Sequence, residues 1–332
     1  MMIKEFFKSN PIHKKIVPSL DVIMIARLSS FFGVWAMVCI GMYIGDLINN
    51  TVDINSTTLS IPTSILFLGI SFICASIFIA NQIHDLEVDK INNKAKIIDN
   101  FITIEFSKKI LFFLLFIGFL LIIFIDLLVA IPMISLYVIC GMLFTNQNFN
   151  FKQNMFMNFL FYIFLALFLI LSGLIYSRND MAIITLITLS LKFIFLFLLI
   201  YGAIVLAINI LDREGDRQRN RITIPQNIGI IFTSIIAFLM CLFSFFIGLY
   251  LKEPLSVVCS ISSIPFFSYL IFRGKEIDVI RSIRYPILLI NFYLFMIYPL
   301  LFYPIVITYY ISKYYYWHRF SLHYPTLLVD ND

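Results

Sequence analysis

Hydrophobic residues in this chain gather into runs longer than a soluble helix or strand requires. A helix needs about 20 apolar residues to cross a hydrocarbon core of roughly 30 Å. By that measure the pattern predicts nine spans, at 20–48, 60–83, 107–127, 129–147, 155–176, 182–211, 227–250, 254–272 and 285–312. The third and fourth are nearly continuous in "LFFLLFIGFLLIIFIDLLVAIPMISLYVICGMLF", where only Asp126 and Pro132 mark a turn. The expected fold class is all-α: a polytopic membrane protein of about nine transmembrane helices. It forms one integral-membrane domain over 1–332, with a cytosolic lead-in at 1–19 and a short tail at 313–332.

Composition agrees with that reading. With 61% hydrophobic and 13% charged residues, 332 residues lack the polar surface to cover a soluble globule. Cys39, Cys74, Cys140, Cys241 and Cys259 all lie in apolar runs without metal or redox spacing, and read as small buried hydrophobes. The start, "MMIKEFFKSNPIHKK", has no small-residue cleavage site before the first long run and is expected to stay on as a lead-in.

Lys and Arg concentrate in cytoplasmic loops. A cytosolic N-terminus puts on that side Lys4, Lys8, Lys14 and Lys15, then Lys90, Lys94, Lys96, Lys108 and Lys109 after span two, and Lys152 after span four. Arg213, Arg217, Arg219 and Arg221 follow span six, and Arg273, Lys275, Arg281 and Arg284 follow span eight. The opposite side receives only Arg178, Lys252, Lys313 and Arg319, with Lys192 near the outer end of span six. Nine spans therefore place the C-terminus across the membrane from the N-terminus.

Two polar segments close spans on the cytosolic side. In "NQIHDLEVDK", Asn81, Asp85 and Asp89 recur every four positions and form one ladder along a helix face. In "NILDREGDRQRNRITIP", Asp212 and Asp216 repeat that spacing, with Asn209 one turn earlier. Carboxylates so placed repel unless a cation sits between them. All-oxygen ligands suit Mg²⁺, which binds carboxylate and phosphate oxygens and keeps several waters. One ladder alone could be a polar helix cap; two on one side, each followed by basic residues, point to a site for a diphosphate. Lys90, Lys94, Lys96, Arg217 and Arg221 are candidates to neutralise it, although positive-inside topology explains most of them. Arg27 lies within the first predicted span, where an ionised side chain is costly unless it snorkels or faces a cavity, and is read as a diphosphate contact.

These two ladders, the Thr-x-Pro at Thr223 and Pro225, and the arginine in the first helix resemble the UbiA superfamily of intramembrane prenyltransferases. The resemblance implies a helical bundle around a central cavity open to lipid and capped by the aspartate loops. It also implies Mg²⁺-dependent transfer of a polyprenyl group from its diphosphate to a hydrophobic acceptor. By matching position, Asn81, Asp85, Asp212 and Asp216 would hold Mg²⁺, with Asp89 supporting them, and Arg27 would bind phosphate. Tyr137 is similar in placement to a tyrosine near the allylic carbon. The expected partners are a polyprenyl diphosphate donor, a small hydrophobic acceptor and the bilayer, with no nucleic acid.

The chain departs from the family after the first ladder, where many members have Arg-Pro and a small-residue turn and this one reads "INNKAKIIDNFIT", with Lys96 in the place of the arginine. A terpene cyclase on the same site is one alternative. A secondary transporter is another, although transporters favour charges near the bilayer midplane, and these carboxylates sit at helix ends. The tail "KYYYWHRFSLHYPTLL" reads as an interfacial aromatic belt.

Overall fold

A computed structural model of the chain describes residues 11–49, 60–86, 97–145, 151–179, 181–218, 221–325 and 328–329. Asp89, Lys90, Lys94 and Lys96 lie outside them. An N-terminal helix, α1 (Pro11–Met24), precedes a break and a short 3-10 turn (Leu28–Ser30), which leads into α2 (Phe31–Ile48). Then come α3 (Ile61–His84), α4 (Ile104–Ile125) and α5 (Leu127–Leu136), the last running on as a π-helix (Tyr137–Leu143). The long helices α6 (Met155–Tyr176) and α7 (Ile183–Leu211) lead into the short α8 (Arg213–Gln218) and α9 (Ile224–Ile228). After them follow α10 (Ile230–Leu251), α11 (Pro254–Arg273), α12 (Glu276–Ile297) and α13 (Phe302–Phe320). A two-residue hairpin pairs β1 (Leu322–His323) with β2 (Leu328–Val329).

Among the described residues, eight helices are long and apolar enough to cross a membrane, and the apolar segment Leu127–Leu143 supplies a shorter ninth. The helix starts are written locally. Ser60, Thr103, Asn154 and Glu253 each accept a backbone N–H of the first turn they precede. Asp126 ends α4 and caps α5, its Oδ1 accepting from Leu128 N at 2.9 Å, so the turn expected there is where the chain breaks. Arg178 pairs with its other oxygen. Pro132 lies inside α5 instead of marking a break.

Small residues set the tightest crossing. A Cβ on Gly41 of α2 would overlap the Ile170 carbonyl oxygen of α6, and one on Gly173 would overlap that of Val38. Without a hydrophobic drive between helices in lipid, backbone approach of this kind supplies the packing.

Two predicted boundaries move. The first span begins at Leu28, not at 20, because Arg27 adopts a left-handed conformation (φ 51°) that ends α1's path. The stretch 285–312 is not one span: Tyr298 precedes Pro299, which disfavours a helical backbone at Tyr298, and the chain turns between α12 and α13.

That turn reverses the placing of the tail. Tyr298 donates to Asp46 at the far end of α2 (2.9 Å). At the other end of α13, Tyr315 and Arg319 bond Asp21 of α1 at 2.5 and 2.6 Å, and the Arg319 guanidinium lies 3.5 Å from the Phe101 ring centroid. Nineteen helical residues rise about 28 Å, close to the thickness of the hydrocarbon core. The C-terminal segment therefore ends beside the N-terminal helix, and Arg319 belongs to the motif-bearing side.

Candidate active site

A cavity of about 460 Å³ lies within the bundle, lined from α2, α3, the π-helix, α6, α7, α8, α12, α13 and the tail. Its middle is apolar, with Phe32, Val34, Met37, Leu165 and Ile204 among the walls. Asn81, Asp85, Asn209, Asp212 and Asp216 line its polar end together. The two ladders thus converge, although some 130 residues separate them in sequence.

Local structure fixes each carboxylate. Asp85 is the C-cap of α3, its N–H bonded to the Asn81 carbonyl at 2.9 Å, and it is buried. Asp212 caps α7, and Asp216, one turn on in α8, donates its N–H to the Asp212 carbonyl at 3.1 Å. Arg221 stands between the two motifs. Its Nη2 donates to Asp85 Oδ1 at 2.5 Å and its Nη1 lies 3.5 Å from Asp216 Oδ1. Burial works against the Arg221 charge, but Asp85 and then Asp216 outweigh it and hold the guanidinium above its ordinary pKa.

The site has members that the ladders do not announce. Asn158 of α6 is buried and lines the cavity. Tyr162, one turn further, lies within electrostatic reach of Asp212, Asp216 and Asp85. Both stand out in hindsight as polar groups in an apolar run.

Of the remaining candidates, Arg27 lines the cavity from the break before α2. Arg217 does not: it is exposed on α8. Asp216 and Arg217 are neighbours on one helix about 100° apart, so when Asp216 faces in, Arg217 faces out. Tyr137 is also absent from the cavity wall. Its ring packs edge-on against Phe119 of α4, 6.3 Å between centroids, and lies over Gly141. The reason is the π-helix, whose wider turn advances less per residue. In an α-helix Tyr137 and Phe144 would share a face; here Phe144 lines the cavity and Tyr137 does not.

The donors fit a hard divalent cation in kind: carboxylate and amide oxygens on two facing walls. Among the described residues, no three acidic, thiol or imidazole side chains close around one point. The arrangement suits an ion that shares its shell with waters and substrate phosphate oxygens, not an all-protein cage. Arg221 holds the cationic position between Asp85 and Asp216.

Comparison with known proteins agrees with this fold. The model of the UbiA prenyltransferase family matches residues 39–278. No curated protein matches the sequence significantly. Among solved structures, a UbiA homologue from Archaeoglobus fulgidus bound to DMAPP and Mg²⁺ superposes with a TM-score of 0.63 at 14% identity, covering 86% of this chain and 99% of that one. The same homologue bound to GPP and Mg²⁺ gives 0.62 at 13% identity, covering 84% and 99%. A structure of digeranylgeranylglyceryl phosphate synthase gives 0.56 at 19% identity, covering 86% and 98%.

Proposed function

Since the chain belongs to the UbiA prenyltransferase family, we propose that it transfers a polyprenyl group from an isoprenyl diphosphate to a lipid-soluble acceptor, with Mg²⁺ as cofactor. One observation carries this reading. The two aspartate motifs, distant in sequence, meet around Arg221 at the polar end of an otherwise apolar cavity. An amphipathic diphosphate ester matches that division.

The roles follow from position. Asp85, Asp212 and Asp216, with Asn81 and Asn209, would hold Mg²⁺ against the diphosphate, and Asp89 is assigned to the same ladder by its spacing. Bound Mg²⁺ supplies positive charge to the departing diphosphate. Arg221 and Arg27 add cationic hydrogen bonds as charge develops on the leaving oxygens, with Lys90, Lys94 and Lys96 as further candidates near the first motif. Arg221, paired here with Asp85 and Asp216, would be placed to donate to a phosphate oxygen of a diphosphate held by those carboxylates. The apolar wall keeps water from the allylic cation, and the faces of Tyr162 and Tyr201, both on the cavity wall, are placed to stabilise it. The side that carries the motifs is assigned to the cytosol by its excess of Lys and Arg.

The test is turnover of radiolabelled prenyl diphosphates by purified protein in a native lipid extract. A labelled, prenylated lipid that disappears in excess EDTA supports the reading. A labelled cyclic hydrocarbon formed without an acceptor would establish the cyclase alternative instead.

A further inference from the structure

We propose that Gln82 is a positioning residue: its side-chain amide caps the break between α1 and α2 and so holds Arg27 on the cavity wall, from the same turn of α3 that carries Asn81. This rests on the prenyl-transfer reading and adds to it a residue that acts through Arg27 and touches no substrate itself.

The break creates a polar group that must find a partner. In a continued helix the Ser29 N–H would bond the Ile25 carbonyl. Arg27, at φ 51° and ψ 59°, turns the chain aside instead, and its own N–H bonds back to the Met24 carbonyl at 3.0 Å. Met24 and Ile25 are buried, so an unmet carbonyl there would be costly. Gln82 meets it. Its Nε2 donates to the Ile25 oxygen at 2.6 Å and to the Phe78 oxygen of its own helix at 3.2 Å. Because both partners are acceptors, the nitrogen end of the amide must point there. Gln82 itself is buried and does not line the cavity.

That bond joins two parts of the polar wall. Gln82 follows Asn81 and precedes Asp85 by three residues. On α3 it therefore points about 100° from one and about 60° from the other, toward α1 while they face the cavity. At the other end of the bond, Arg27, Ser29 and Ser30 of the break line the cavity. A left-handed arginine is disfavoured and persists only where its surroundings fix it. Ser29 hydrogen-bonds Tyr316 of α13, and Arg27 lies within electrostatic reach of the same phenol, so α13 holds one flank of the break. Gln82 holds the other. Ile79 and Ile83 beside it pack with Val17, Met24 and Ile25 in one apolar cluster, which keeps out the water that could replace the amide. Without the amide, finding a partner for the Ile25 carbonyl means continuing α1 through Ala26 and Arg27. That takes the arginine off the cavity wall.

The experiment is a double-mutant cycle on the full chain in detergent. Affinity for a non-ionisable geranyl thiodiphosphate with Mg²⁺ is read by native mass spectrometry, and hydrogen exchange of the ligand-free protein is measured in parallel. Arg27→Met should weaken binding by roughly 10- to 100-fold, one charge-assisted hydrogen bond being lost. Gln82→Met, which keeps the length of the side chain and removes its donor, should weaken binding by about tenfold and speed exchange of the amides at 25–30. The double variant should match Arg27→Met alone to within about twofold, because Gln82 then has nothing left to act through. Should the methionine variant not fold, Gln82→Asn, one methylene short of the Ile25 carbonyl, serves in its place with the same expectation. Losses that multiply would mean that Gln82 acts through the aspartates or through packing, and overturn the proposal. So would wild-type affinity in the Gln82 or Arg27 variants, or unchanged exchange at 25–30. If the wild type does not bind the thiodiphosphate at all, the prenyl-transfer reading fails and takes this role with it, whereas multiplying losses in a wild type that binds remove only the role of Gln82.

Discussion

Replacing Arg221 should move two properties of the protein in opposite directions. Its guanidinium is the cation shared by Asp85 and Asp216, with side chains 18% exposed for the arginine and 10% and 9% for the aspartates. Removing one member of a buried pair leaves its partner uncompensated, at a cost of about 3–5 kcal/mol. Access from the cavity puts this site at the lower end, so Arg221→Met should destabilise the metal-free protein by about 3 kcal/mol. The vacated position between the carboxylates is where Mg²⁺ is proposed to enter. The variant should therefore bind Mg²⁺ more tightly than the wild type when no diphosphate is present, and Mg²⁺ should restore much of its thermal stability. Turnover should nevertheless fall by roughly 10- to 100-fold, one charge-assisted phosphate contact having been lost. Fluorescence-monitored melting across a Mg²⁺ series, with a parallel turnover assay, measures both. A variant as stable as wild type without Mg²⁺, and no more responsive to it, would show that Arg221 is not the stand-in cation of the site.

Asp85→Asn and Asp212→Asn should abolish turnover in folded protein and Asp216→Asn should cripple it, while Asp99→Asn, at an exposed position with φ 76°, should remain near wild type; equal rates for Asp85→Asn and Asp99→Asn would reduce the ladder to a helix cap. Tyr162→Phe should slow turnover more than Tyr137→Phe, since only Tyr162 lines the cavity, and the reverse order in the same assay would reject the cavity assignment. Gly173→Ala should destabilise the bundle by about 1–3 kcal/mol by forcing α2 and α6 apart, read as a lowered midpoint in thermal aggregation; an unchanged midpoint would contradict the close crossing. Reporter fusions at the two termini should give signals from the same side of the membrane, whereas opposite sides would mean that α13 does not recross.

Much of this molecule was legible in its sequence, and the failures share a cause. Long apolar runs marked the first eight predicted spans because hydrocarbon thickness leaves little choice of length. Asp126 was readable as a turn because an aspartate in an apolar run can cap the next helix. The four-residue spacing placed Asp85, Asp212 and Asp216 at one cavity end, and Arg221 beside them. What escaped depended on rotation about a helix axis. The π-helix turns Tyr137 away, Asp216 facing inward sends Arg217 outward, and a left-handed Arg27 detaches α1 from the first span. Apolar runs carry no phase to reveal such rotations. Pro299 was visible, but the run continues across it, so a return helix rich in tyrosine and ending in His318 and Arg319 was read as a belt. Its contact with Asp21 joins residues almost 300 apart, beyond the reach of local pattern.

The central claim is that the two aspartate motifs form one metal-diphosphate site. The most direct measurement is a cryo-electron microscopy structure of the protein with Mg²⁺ and a non-ionisable geranyl thiodiphosphate. Diphosphate and metal density is expected between Asp85 on one wall and Asp212 and Asp216 on the other, with Arg221 withdrawn from Asp85 toward a phosphate oxygen and the prenyl tail along the wall of Phe32 and Leu165. Diphosphate bound elsewhere, with the Arg221 bridge to Asp85 and Asp216 still closed, would contradict it.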